Sequence, residues 1–245
     1  MLLRQMLDIY DLIDKPSASG NEVADFLRGR GASDVTVKRV SGERGGTDCM
    51  KILIPGSNGK SNGGEAPTLG IVGRLGGLGA RPELIGAVSD GDGALAALTA
   101  ALKLVEMHEQ GDVLTGDVIV ATHVCPDAPT LPHEPVPFMD SPIDMETMNR
   151  MEVDPRMDAV VSIDTTKGII NVNGIAISPT VMQGYILSVS NDLMDVMTRV
   201  TGKMPQVFAL SQQDITPYGN DLYHLNSILQ PATATDAPVV GVAIA

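Results

Sequence analysis

The chain has 245 residues, a formal charge of −13, 43% apolar residues and only 3% aromatics. That is enough to bury an aliphatic core in a single domain, while the acidic balance, with no stripe of Lys and Arg, excludes a nucleic-acid surface and an anionic membrane surface. Two cysteines, Cys49 and Cys125, are too few for a disulfide scaffold; with no signal-peptide pattern and no apolar run near the ~20 residues of a membrane span, the expectation is a cytoplasmic protein.

Leu2, Leu3, Met6, Ile9, Tyr10 and Ile13 form a first helical stripe that Pro16 ends. Ser19 followed three residues later by Glu22 has the capping-box pattern and opens a second helix, closed by Gly31. Asp34 to Val40 alternates as a strand, and Met50 to Ile54 forms another. Residues 55–66, rich in Gly, Ser and Asn, predict a flexible surface loop. Thr68 to Gly73 is a short buried strand running into a glycine-rich stretch with Arg74 and Arg81, where Arg74 is a candidate contact for an anionic group.

Gly86 to Gly93 (Gly-Ala-Val-Ser-Asp-Gly-Asp-Gly) precedes the clearest helix, with apolar residues at Ala94, Leu95, Leu98, Ala101, Leu102 and Val105 and a stop at Gly111. Carboxylates at a helix start are favoured by its dipole. Asp90 can therefore be a cap or a metal or substrate carboxylate, and Asp92 a turn residue or a substrate contact. Asp117 to Thr122 predicts a strand buried on both faces. It leads to His123, Cys125 and Asp127, and then to a proline-rich segment with His133 and Glu134. Met157 to Ile163 is the next strand, ending in Asp164-Thr165-Thr166-Lys167; a hairpin is expected around Asn173-Gly174. Leu187 to Val200 predicts a helix, Gln206 to Leu210 a strand, Pro217 to Ile228 a short helix carrying His224, and Pro238 to Ile244 a last strand. Alternating strands and helices imply an α/β fold, a mixed and mostly parallel sheet with helices on both faces. Its site is expected at the carboxyl ends of the strands, where Asp90, Asp127 and Asp164 fall.

The order of these motifs resembles the co-catalytic zinc exopeptidases, the aminopeptidases and carboxypeptidases with a two-metal site. The resemblance rests on Ser19-Gly20-Asn21-Glu22, on the Asp90-Gly91-Asp92-Gly93 turn before a helix, on Gly116-Asp117-Val118, and on Asp164 at a strand end. The chain is also similar to a prokaryotic family of unknown function, through its Ser-Asp-Gly-Asp-Gly, Ile-Asp-Thr-Thr-Lys-Gly and Asp-Ile-Thr-Pro-Tyr-Gly-Asn runs. The exopeptidase likeness implies that Asp90 bridges metals and that Asp127 and Asp164 are further ligands. Three departures stand against it. Arg74 lies where the first metal His is expected, Pro126 occupies the general-base position, and no His follows the last strand.

Neutral imidazoles from His123, His133 and His224 are candidate replacements as ligands for zinc, Glu134 is a candidate base, and Lys167 and Asn220 are candidate substrate contacts. The expected protein is a single domain over residues 1–245, without an inserted lid. It acts as a metal-dependent hydrolase of a small peptide- or amide-like substrate; the alternative is an inactive peptidase-like domain that binds a small ligand. A homo-oligomer is allowed. The final strand is expected to form an exposed edge, covered in a longer form of the chain.

Overall fold

In a computed structural model, described here for residues 2–74, 76–77, 86–132, 138–165, 174–208 and 226–244, nine strands form one sheet in the order β1-β2-β4-β3-β7-β11-β8-β10, with β9 also on β8. The strands are β1 (Asp34–Gly42), β2 (Gly45–Ile54), β3 (Leu69–Gly73), β4 (Val118–Val124), β7 (Ala159–Thr165), β8 (Ile175–Met182), β9 (Tyr185–Ile186), β10 (Gln206–Val207) and β11 (Val239–Ile244); β5 (Thr130–Leu131) and β6 (Phe138–Met139) pair separately. The four central strands β4, β3, β7 and β11 are parallel. β2 joins β4 antiparallel, and β8 joins β11 antiparallel. The sheet is therefore mixed, with a parallel centre. β11 lies inside it between β7 and β8, which corrects the expectation of an exposed final strand; β1 and β10 end the order instead.

The helices are α1 (Leu3–Ile13), α2 (Gly20–Gly29), α3 (Asp92–Glu109), α4 (Met145–Glu152) and α5 (Asn191–Thr201). Alternation along β4 shows how the two faces are covered, since successive side chains point to opposite sides. Val118, Val120 and Val124 join Ile9, Val23, Leu27, Leu98 and Leu102 of α1, α2 and α3 in one core. Ile119 and Ala121 face the other way and pack with Val72, Val160, Leu229 and Val239. That second core is roofed by α4 and by a 3-10 segment, Ser227–Thr233.

Several elements follow from local chemistry. Ser19 Oγ accepts a hydrogen bond from the Glu22 amide (3.2 Å), so the expected cap forms at the start of α2. Loop 55–66 is not the free surface loop its composition suggests. Asp117 sits beneath it and accepts from the Gly56 amide (2.8 Å), the Ser61 amide (2.8 Å) and the Ser61 hydroxyl (2.8 Å). Burial works against that carboxylate's charge, but these donors outweigh it and hold the group below the usual carboxylate range. In α1 the buried face is Gln5, Ile9 and Ile13, while Leu2, Leu3, Met6 and Tyr10 of the expected stripe are exposed. The Gln5 amide instead donates to Glu106 of α3 (2.7 Å).

Candidate functional site

Chain order and sheet order together define one crevice. From β3 the chain passes through α3 to β4 on one side, whereas the strand that follows β7 is β8, on the other side. β3 and β7 are neighbours, so their carboxyl ends flank a topological switch point, where open α/β sheets bind ligands. Arg74 follows β3 directly, and Asp164 is the last residue but one of β7. The start of α3 sits over both strand ends. A Cβ added at Gly93 would fall on the Arg74 carbonyl oxygen and lie 2.8 Å from that of Ile163, so only glycine lets the helix approach this closely. A 3-10 turn, Ser89–Gly91, leads into α3, whose first residue is Asp92 and whose N-cap, Gly91, supplies no side-chain bond. The N-cap position is thus held by Gly91 rather than by Asp90. Asp90 and Asp92 are half-buried.

Beneath them lies a buried polar cluster that the sequence did not disclose. The Arg74 side chain is only 2% exposed. Its Nη1 donates to Glu152 Oε2 (2.5 Å) and to Asn149 Oδ1 (3.0 Å), both on α4, and its Nε is 4.0 Å from Asp164 Oδ2. The Ser227 hydroxyl donates to Asp164 Oδ2, and Asn149 Nδ2 donates to Thr233 Oγ1 (3.0 Å). Arg74 thus has its guanidinium in the interior, engaged by α4, rather than offered on an open glycine-rich loop. Burial pushes the Glu152 carboxyl up to about 7, against the pull of the Arg74 charge. Asn149 and Glu152, three apart, share one face of α4. The sequence signal for them was indirect: an arginine that is buried requires acceptors.

His123 is also interior. Its Nε2 accepts the Gly76 amide (3.0 Å), and its Nδ1 lies 2.9 Å from Thr47 Oγ1, which itself donates to the Val124 carbonyl (3.2 Å). That network assigns the ring proton to Nδ1 and engages both nitrogens. Burial, with the nearby Arg74 charge, pushes the imidazole down to about 4. The expected metal ligand is, in this structure, a structural histidine that ties the start of the glycine-rich stretch to β4. Asp127 is exposed on the turn after β4. Among the described residues no group of three or more His, Cys, Asp or Glu side chains is placed to hold a metal ion, so Asp90, Asp127 and Asp164 do not form the shared cluster predicted for them. The physical reason is direction: Asp164 turns into the interior toward Ser227 and Arg74, while Asp127 faces solvent. His133, Glu134, Lys167, Asn220 and His224 lie outside the described residues, as do residues 169–173 of the hairpin or edge pair expected over Ile169 to Ile177. Burial pushes the Cys49 thiol up to about 12 and the Cys125 thiol up to about 11, which leaves neither a ready nucleophile.

Comparison with known proteins agrees with the fold. The profile of a family described as "Protein of unknown function (DUF1177)" matches residues 38–245. No curated protein matches the chain in sequence. Among solved structures, the bottromycin maturation enzyme BotP in complex with Mn superposes with a TM-score of 0.53 at 13% identity. That alignment covers 98% of this chain but 63% of BotP, so the chain spans somewhat under two thirds of that enzyme's length. At this identity the likeness is one of fold.

Proposed function

The chain belongs to the DUF1177 family, and for it we propose a divalent-metal-dependent hydrolase of a peptide- or amide-like substrate, with its site at the carboxyl ends of β3 and β7. The observation that carries this reading is Asp164, a fully buried carboxylate at the switch point of the sheet, beneath a helix start bearing Asp90 and Asp92. A fold shared with an enzyme bound to Mn supports it. Asp90 and Asp164 would hold the ion, with His133 and His224 as further donors and Glu134 as base on the sequence reading. The ion would supply Lewis acidity and an activated water. The chain's own part is positional: Ser227 fixes one oxygen of Asp164, and Arg74, held by Glu152 and Asn149, places a fixed positive charge beside it. A mixed set of carboxylates and imidazoles suits a divalent ion such as zinc or manganese.

A second reading rests on the same guanidinium. A fixed cation 4.0 Å from Asp164 can serve as that carboxylate's counter-charge in place of a metal, and the domain would then bind a small ligand without hydrolysing it. Metal analysis of untagged protein separates the two. The hydrolase reading expects near-stoichiometric divalent metal, lost in Asp90→Ala and Asp164→Asn but kept in Asp127→Ala. It also expects a Tm that chelator lowers, since saturation at ~100 times Kd stabilises by about 2.7 kcal/mol. No bound metal and a Tm that chelator leaves unmoved would favour the binding domain and overturn the hydrolase.

A further inference from the structure

Large apolar side chains gather at the surface on the linked elements along the outer edge of β8, as they also do on the exposed face of α1. β9 pairs with one end of β8 (Val181–Met182), and β10 pairs with the other (Ala176–Ile177). α5 connects β9 to β10. It is amphipathic, with Leu193, Val196, Met197 and Val200 at helical spacing, yet none of its residues is buried. Tyr185 is 70% exposed, Ile186 69%, Val196 54%, Val200 80%, Met204 77% and Val207 49%. An isolated helix of eleven residues is marginal in water, and helices in proteins draw their stability from a packed apolar face. α5 has no buried residue and so lacks such packing among the described residues.

We propose that this surface is a self-association interface, in which α5 of one copy packs antiparallel against α5 of a second copy across a two-fold axis. Two observations select a second copy as the occupant. The first is charge. Asp192 and Asp195 lie toward the N-terminal end of α5, and Arg199 and Lys203 lie at and just beyond its C-terminal end. None of the four forms an ion pair among the described residues, and Asp195 and Arg199 stay apart although they are four residues apart on one helix. An antiparallel two-fold arrangement sets the acidic end of each helix beside the basic end of the other, which satisfies all four groups twice, as an isologous contact requires. The second is area. At roughly 100 Å² of exposed apolar surface each, the six side chains supply about 600 Å², against roughly 450 Å² of apolar area in one ~800 Å² half of a standard interface. β10, only two residues long, offers little edge for strand addition, so the helix rather than the strand carries the contact.

Sedimentation velocity from 1 to 100 µM, on the 245-residue chain and its variants, tests this. The parent chain is expected to be a dimer that Val196→Asp with Val200→Asp renders monomeric while still unfolding cooperatively. Two charge variants decide the geometry: one carrying Asp192→Lys and Asp195→Lys, the other Arg199→Glu and Lys203→Glu. Each alone should be monomeric, and an equimolar mixture should recover a heterodimer, a result that damage to the fold cannot produce. A parent chain monomeric throughout, a dimer that survives the double Asp variant, or a charge-swapped pair that fails to associate overturns the proposal.

Discussion

His123 and Glu152 are interior groups that titrate in opposite senses, and this fixes the pH dependence of stability. The native imidazole takes its proton only near pH 4, the unfolded one near 6.5. The contribution of His123 is therefore complete above pH 6.5 and is lost as pH falls through 4. The native Glu152 carboxyl holds its proton to about pH 7, the unfolded one only to about 4.5. Its contribution is present below pH 4.5 and is lost as pH rises through 7. Arg74 touches both balances, lowering each group. In the shared window between about pH 4.5 and 6.5 the two slopes oppose each other, each at most about 1.4 kcal/mol per pH unit. Urea melts across pH 4–7 should show Glu152→Gln gaining stability as pH rises through that window and His123→Gln losing it. Parallel profiles for the two variants would show that these side chains do not carry the pH dependence. His123 and Arg74 also show where reading a sequence stops. A histidine closing an apolar strand and an arginine opening a glycine-rich stretch look equally available as ligands. Whether Thr47, Gly76, Asn149 and Glu152 arrive to engage them depends on segments 47 to 78 residues away in the chain.

Elements were more legible than contacts, because their signals are local. The stripe from Ala94 to Val105 lies within α3, Ser19 caps α2, Ser190 caps α5 within the predicted helix, and β1, β3, β4, β7 and β11 lie within about two residues of their predicted spans. α4 was missed. It has eight residues, below the length at which a periodic pattern stands out, and its signal was the Asp144 cap, which accepts the Thr147 amide (2.7 Å). The β8–β9 hairpin was missed as well. Its two-residue turn is Gln183-Gly184, with positive φ at both (50° and 79°). Glutamine gives little warning of that conformation, for which Asn or Asp is usual. Close approach between elements supplies a sharper prediction. Gly93→Ala drives a methyl group into the Arg74 and Ile163 carbonyls and should destabilise by about 3 kcal/mol or more, at or beyond the upper end of ordinary overpacking. Gly29→Ala, in α2 with nothing within 4 Å of the added carbon, should be neutral or stabilising by about 0.5–1 kcal/mol. Denaturant midpoints for the pair check this. Similar shifts in both would mean that α3 does not rest on the ends of β3 and β7.

At the scale of the molecule, the family match begins at residue 38, inside β1, and leaves out α1 and α2. A boundary there would split a core. Ile9, Ile13, Val23 and Leu27 are at most 2% exposed and pack with Leu98 and Leu102 of α3 and with Val120 of β4. Arg30 ties the same layer together, pairing with Asp8 (3.0 Å) and with Glu106 on α3 (2.8 Å). α3 is the element whose first turn overlies the switch point, so the packing of α1 and α2 bears on the candidate site through it. At about 1.5–3 kcal/mol for each buried aliphatic side chain, those four contribute roughly 6–12 kcal/mol, as much as the whole net stability of about 5–15 kcal/mol usual for a domain. If residues 1–245 fold as one unit, removing residues 1–33 should abolish cooperative unfolding by circular dichroism and yield a chain that aggregates through the bared face of α3. The shortened chain should also lose whatever metal or ligand the parent binds. A deletion that stays soluble, melts cooperatively within a few degrees of the parent and keeps its ligand would instead mark α1 and α2 as an accessory layer, with the working domain beginning at β1.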